Sequence, residues 1–178
     1  MGYAILQPLS VAAKNVDSYN INVINKEDDM PNGAIITKGA LSTDADKSEV
    51  YVATKPASAT LANAYMVYNP EDVIVTAADG TQYKVGDLNP SAYTNVKGVV
   101  CNAFKLQVGD KILISSDGVT GEENNYAVAA NGAYTLAFAE NAGASGLALK
   151  KLAKTYMSIG TKFGSQRVVA YEFEVEQI

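Results

Sequence analysis

Phe104, Leu106 and Val108 alternate with Lys105 and Gln107, and after the turn-forming pair Gly109 and Asp110 the apolar run Ile112, Leu113, Ile114 begins. An apolar residue at every second position turns one face of an extended chain toward a core and the other toward water, a period that an α-helix does not have. Residues 95–116 therefore predict two successive strands and commit the chain to a β core. The signal recurs near the C-terminus, where Val169, Tyr171, Phe173 and Val175 share one face of residues 166–177 and Glu172, Glu174 and Glu176 share the other. That pattern predicts a half-buried antiparallel strand with one wet face. Its three glutamates read as surface charges that discourage edge pairing, not as acid catalysts.

Other segments repeat the β reading. Residues 19–24 and 34–41 predict strands on either side of a polar turn containing Asn32 and Gly33, hence a hairpin. Residues 50–54 and 65–68 are further strands. Residues 73–76 and 81–85 flank Asp79 and Gly80, and residues 126–129 and 133–139 flank Asn131 and Gly132, which predicts two more hairpins. Residues 147–159 fit a helix through Leu149, Leu152, Ala153 and Tyr156, or two short strands, which the β neighbourhood favours. Lys150, Lys151 and Lys154 there read as a solvated face. The tripeptide Val-Gly-Asp occurs at 85–87 and again at 108–110, which reads as coincidence.

The expected fold is mainly β, an antiparallel β-barrel or sandwich built from hairpins. Residues 19–178 would form a single β domain, preceded by an extended N-terminal arm over residues 1–18. Tyr3, Ile5 and Leu6 stand ahead of Pro8, a short apolar stretch that cannot form a core alone. They are the candidates for a docking arm on a partner, with docking on the chain's own domain as the alternative.

Composition removes whole classes of chemistry. At 178 residues the chain buries a core without disulfides or metals. It contains no histidine, which excludes serine–histidine–acid and cysteine–histidine arrangements and nearly every zinc site. The single cysteine, Cys101, lies in the apolar run Val99, Val100, Cys101 and reads as a buried small hydrophobe. A formal net charge of −5 with scattered Lys and Arg disfavours nucleic acid. No apolar run approaches the roughly 20 residues that span a bilayer, and residues 1–8 lack a signal-peptide pattern. A soluble chain that is not exported through a cleaved signal is therefore expected.

Closely spaced phosphate-cradling glycines and a nucleophile elbow are both missing. Asp44, Asp46 and Ser48 have ligand-like spacing, but an EF-hand loop needs Gly at its sixth position and Glu at its twelfth, where Glu49 and Lys55 stand. That loop reads as solvated. No cofactor, no metal and no enzymatic activity are expected.

Three stretches together resemble small β-rich head decoration or structural proteins of tailed bacteriophages and prophages. They are Lys38-Gly39-Ala40-Leu41-Ser42 with the following Glu49-Val50-Tyr51-Val52-Ala53-Thr54, then Phe104-Lys105-Leu106-Gln107-Val108-Gly109-Asp110, and Gln166-Arg167-Val168-Val169-Ala170-Tyr171-Glu172-Phe173-Glu174-Val175. The resemblance implies a non-enzymatic virion component on the capsid surface, bound to the major capsid protein lattice and forming a homo-oligomer. A carbohydrate- or surface-binding β module of a phage fibre would explain the same strands and the 11 tyrosines. A carboxylate-based enzyme is the third reading.

Overall fold

The computed structural model describes residues 3–43, 49–57, 61, 63–69, 73–76, 82–85, 90–159 and 166–178. The fold is mainly β. The strands among the described residues are β1 (Leu6–Ser10), β2 (Asn20–Ile24), β3 (Ile35–Leu41), β4 (Val50–Thr54), β5 (Tyr65–Val67), β6 (Val73–Thr76) and β7 (Gln82–Val85). They continue with β8 (Val100–Lys105), β9 (Lys111–Ser115), β10 (Val119–Thr120), β11 (Tyr126–Ala129), β12 (Leu136–Ala139), β13 (Ala148–Ile159) and β14 (Gln166–Gln177). Among the described residues helical structure is confined to short 3₁₀ turns, and no helix there is long and apolar enough to cross a membrane.

The strands form a closed barrel in the order β2-β4-β3-β5-β8, a seven-stranded sheet in the order β1-β9-β14-β13-β11-β12-β10, and the separate hairpin β6-β7. Closing the barrel leaves its strands no free edge. Val23, Ile36, Ala53, Val67, Cys101 and Ala103 point inward and fill it. The alternate residues Ile35, Met66 and Phe104 point outward and meet Leu6, Ile112, Ile114, Tyr171, Phe173 and Val175 of the sheet in one larger core. Period two thus supplies both layers: one set of side chains fills the barrel and the other bonds it to the sheet.

The stretch 104–114 connects these two bodies. Phe104 and Leu106 are buried as the alternation predicts, whereas Val108 is 65% exposed. The strand ends at Lys105, and Val108 has entered the turn at Gly109. Strand β14 carries its predicted inward face and lies between β9 and β13. Its glutamates therefore flank a central strand and do not guard an edge. Glu174 stands opposite Lys111 of β9 and Lys150 of β13, where opposite charges are favourable.

The hairpins β6-β7 and β11-β12 pair as expected, with Val73 opposite Val85 and Tyr126 opposite Ala139. The expected β2-β3 hairpin does not form, because β4 lies between the two strands and runs parallel to β2. Asn32 is fully buried, and Gly33, at φ +82°, lies against Ile114 so closely that a Cβ would meet its Cδ1 at 2.7 Å. The pair joins barrel to sheet instead of turning a hairpin. Residues 147–159 contribute neither a helix nor two short strands but one twelve-residue strand, β13, bulged between Lys151 and Ala153. In the repeated tripeptide, Gly86 and Asp87 lie outside the described residues.

The N-terminus is not an extended arm. Leu6–Ser10 is strand β1, paired antiparallel with β9. Ile5 donates its N–H to Ser115 Oγ at 2.9 Å, and Ala12 donates its N–H to Asp110 Oδ1 at 2.8 Å. Burial of Ala4, Ile5 and Leu6 outweighs the disruption by Pro8, which an edge strand tolerates.

Candidate functional site

Of the residues proposed for docking, Ile5 and Leu6 are 5% and 2% exposed, and Tyr3 is 41% exposed. Ile5 joins Met157, Ile159 and Ala170 in a small cluster, while Leu6 belongs to the main core. The structure therefore separates the three residues, and only Tyr3 faces outward.

Asp44, Asp46 and Ser48 lie outside the described residues. Among the described residues there is no group of three or more Cys, Asp or Glu placed to hold a metal ion. Cys101 is buried inside the barrel, and burial pushes its thiol up to about 12. Buried Asp110 accepts N–H groups from Ala12 and Gln107, so its carboxylate is fixed as a brace between the β9 turn and the N-terminus.

Two of the three clustered lysines are not simply solvated. Lys151 and Lys154 reach Glu123 at 3.0 and 2.6 Å, and the Tyr171 hydroxyl donates to Glu123 at 3.4 Å. Hydrogen bonds from Lys154 and then Lys151 hold the Glu123 carboxyl below its ordinary value, and the same bond raises Lys154. This solvent-accessible trio ties the loop after β10 to β13.

Beyond this trio, β13 and β14 outrun their neighbours. Strand β11 pairs with β13 only through Ala148, Leu149 and Lys150, and β9 pairs with β14 only from Ala170 to Glu174. Among the described residues, strand positions 156–159 and 166–169 pair only with each other, and 153–155, opposite Glu172, Tyr171 and Ala170, lie where β13 has already left β11. This two-stranded ribbon buries Met157 and Ile159 on one face beside Ile5. Its other face carries Tyr156, 53% exposed, with the Arg167 guanidinium 4.6 Å from the ring centroid, and Leu152 is exposed at the bulge.

A second surface lies where the barrel meets the N-terminal segment. One cleft of about 390 Å³ is lined by Asn20, Ile21, Asn22, Tyr68 and Asn102. A more apolar one of about 210 Å³ adjoins it, sharing Asn20 and Tyr68 and walled by Pro8, Val11 and Phe104. Asn22 stands directly opposite Asn102 in the β2-β8 ladder, and Asn20 opposite Phe104. An amide network that runs from the surface inward sets Asn102: Asn69 Oδ1 accepts both the backbone N–H and Nδ2 of Asn102, at 3.1 and 2.8 Å. Asn69 in turn bonds Asn32 and Asn95. Taken one at a time these asparagines read as turn residues, so the sequence does not reveal the grouping.

Comparison with protein-family models, with curated proteins and with solved structures finds no match for the chain.

Proposed function

We propose that the chain is a non-enzymatic virion structural protein that decorates the head of a tailed bacteriophage by binding the major capsid protein lattice. It would be made in the host cytoplasm, associate with copies of itself and end on the capsid surface. The β13-β14 ribbon is the observation that carries this reading. Anchored in the sheet at one end, it offers Tyr156 and Arg167, with Leu152 exposed at the bulge at its base, on a pre-ordered scaffold. Tyr and Arg are residue types enriched at binding hot spots, and an ordered element loses less conformational entropy on docking than a loose arm. A repeating lattice then multiplies weak single contacts.

The edges of the sheet support the same reading. Edge strand β1 carries Pro8, which has no N–H, and Lys14 Nζ caps the carbonyls of Pro8 and Leu9 at 2.8 and 3.1 Å. The opposite edge, β10, has two residues. Guards on these two terminal strands direct strand pairing between copies away from them, which suits a protein held at high local density on a shell.

The test is co-sedimentation of the purified chain with head shells assembled from the capsid gene of the same genome. Saturable binding at a fixed ratio to the capsid subunit is expected. Absence of binding to those shells would reject the proposal.

A further inference from the structure

We infer that the cleft between β2, β8 and Tyr68 is a binding site for a neutral saccharide, an activity independent of lattice docking. Three primary amides converge there. Asn22 is half-buried and its side chain makes no hydrogen bond among the described residues, so its carbonyl and both N–H donors face the cleft unengaged by them. Asn20 uses its Nδ2 on the Ala13 carbonyl at 2.8 Å and Asn102 uses its Nδ2 on Asn69, which leaves each Oδ1 free to accept. A hydroxyl both donates and accepts, and amides match both roles.

The spacing suits a sugar ring. Residues opposite each other on adjacent strands are about 5 Å apart, and alternate residues along one strand about 6.6 Å. Asn20, Asn22 and Asn102 therefore form a small grid beside the phenol of Tyr68, whose backbone N–H is held on the Asn102 carbonyl at 3.0 Å. An aromatic wall next to hydrogen-bonding groups accommodates both the C–H face and the hydroxyl edge of a pyranose. The adjoining apolar cleft past Tyr68 extends the site toward a second unit.

Other ligand classes fit less well. Among the described residues that line the clefts the one cation, Lys14, has its ammonium engaged by two carbonyls, so a phosphate or sugar acid meets no free positive charge among them. Strands β2 and β8 lie within a closed barrel, so an extended peptide finds no free edge to join.

The full chain, labelled with ¹⁵N, is titrated with a panel of neutral disaccharides built on glucose, galactose, mannose and N-acetylglucosamine, and with glucuronic acid as the anionic probe. At least one neutral disaccharide is expected to give saturable shifts confined to Asn20, Asn22, Tyr68, Asn102 and their neighbours. Asn22→Ala, which breaks no hydrogen bond among the described residues, should weaken that binding about tenfold without changing the melting temperature. Tyr68→Ala should weaken it as much or more. No saturable shift with any neutral member, shifts that map elsewhere, preference for glucuronic acid, or unchanged affinity in both variants would each overturn the inference. Binding of a saccharide by a chain that ignores head shells would leave the inference standing and reject the lattice proposal alone.

Discussion

The Tyr134 hydroxyl accepts a hydrogen bond from the Asn25 carboxamide, joining residues 109 positions apart in the chain. Tyr134 comes from the turn between β11 and β12 in the seven-stranded sheet, yet its ring packs among the inward-facing residues of the barrel. Gly132 N–H on the Pro56 carbonyl and Ile35 N–H on the Tyr134 carbonyl, both at 2.8 Å, fasten the same junction. Tyr134→Phe should cost about 1–3 kcal/mol, because it leaves the buried Asn25 amide short of a partner. Tyr134→Ala should cost about 3–5 kcal/mol by analogy with other buried aromatics. Urea denaturation measures both, and equal costs would show that the ring contributes nothing beyond its hydroxyl.

Deleting residues 1–8 should destabilise the protein. Ile5 and Leu6 are each worth roughly 1.5–3 kcal/mol when fully buried, and the β1-β9 ladder is lost with them. Thermal melting of the truncated chain checks this, with a drop of many degrees expected. A melting temperature equal to that of the full chain would mean that the N-terminus is peripheral after all.

Phe104 and Val108 share a phase in the sequence but not in the structure. Phe104→Ala should cost about 3–5 kcal/mol, while Val108→Ala, at an exposed turn, should stay within about 0.5 kcal/mol. Comparable losses at the two sites would place the end of β8 wrongly.

How far the chain can be read from its sequence depends on how local each signal is. Half-buried strands betray themselves by alternation, so Phe104, Leu106 and the 169–175 face were legible. The β11-β12 hairpin was legible too, because Asn131 and Gly132 sit at a tight turn. Parallel pairing of β2 with β4 leaves no local mark, and the Asn32-Gly33 signal pointed to a hairpin that the barrel does not contain. In β13 the bulge near Leu152 shifts the phase by one residue. Leu149, Leu152, Ala153 and Tyr156 consequently imitate helical spacing within a strand. The amide cleft draws on β2, β8 and the end of β5, three segments whose adjacency arises only from barrel closure.

Cys101 ties stability to alkaline pH. Its thiol rises from an ordinary value of 9.0 to about 12 in the folded chain because burial disfavours the thiolate. A group raised on folding contributes stability that is complete below its unfolded value and disappears as pH climbs through its folded value. The protein should therefore lose stability between about pH 9 and 12, and Cys101→Ala should lose less over that window. Native Cys101 should also resist a thiol reagent at pH 8 and react on unfolding. Rapid labelling of the native chain would contradict the buried placement.

Docking through the β13-β14 ribbon, and not through the N-terminus, is the central claim. Its most direct test is co-sedimentation of the Leu152→Ser/Tyr156→Ser double variant with the same head shells, beside the full chain. Both residues are exposed, so the variant should melt within a few degrees of the parent, each exposed change being worth about 0.5 kcal/mol or less. Its affinity for the shells should fall by at least about tenfold, as loss of a hot spot would produce. A folded double variant that sediments with the shells as tightly as the parent would contradict the account.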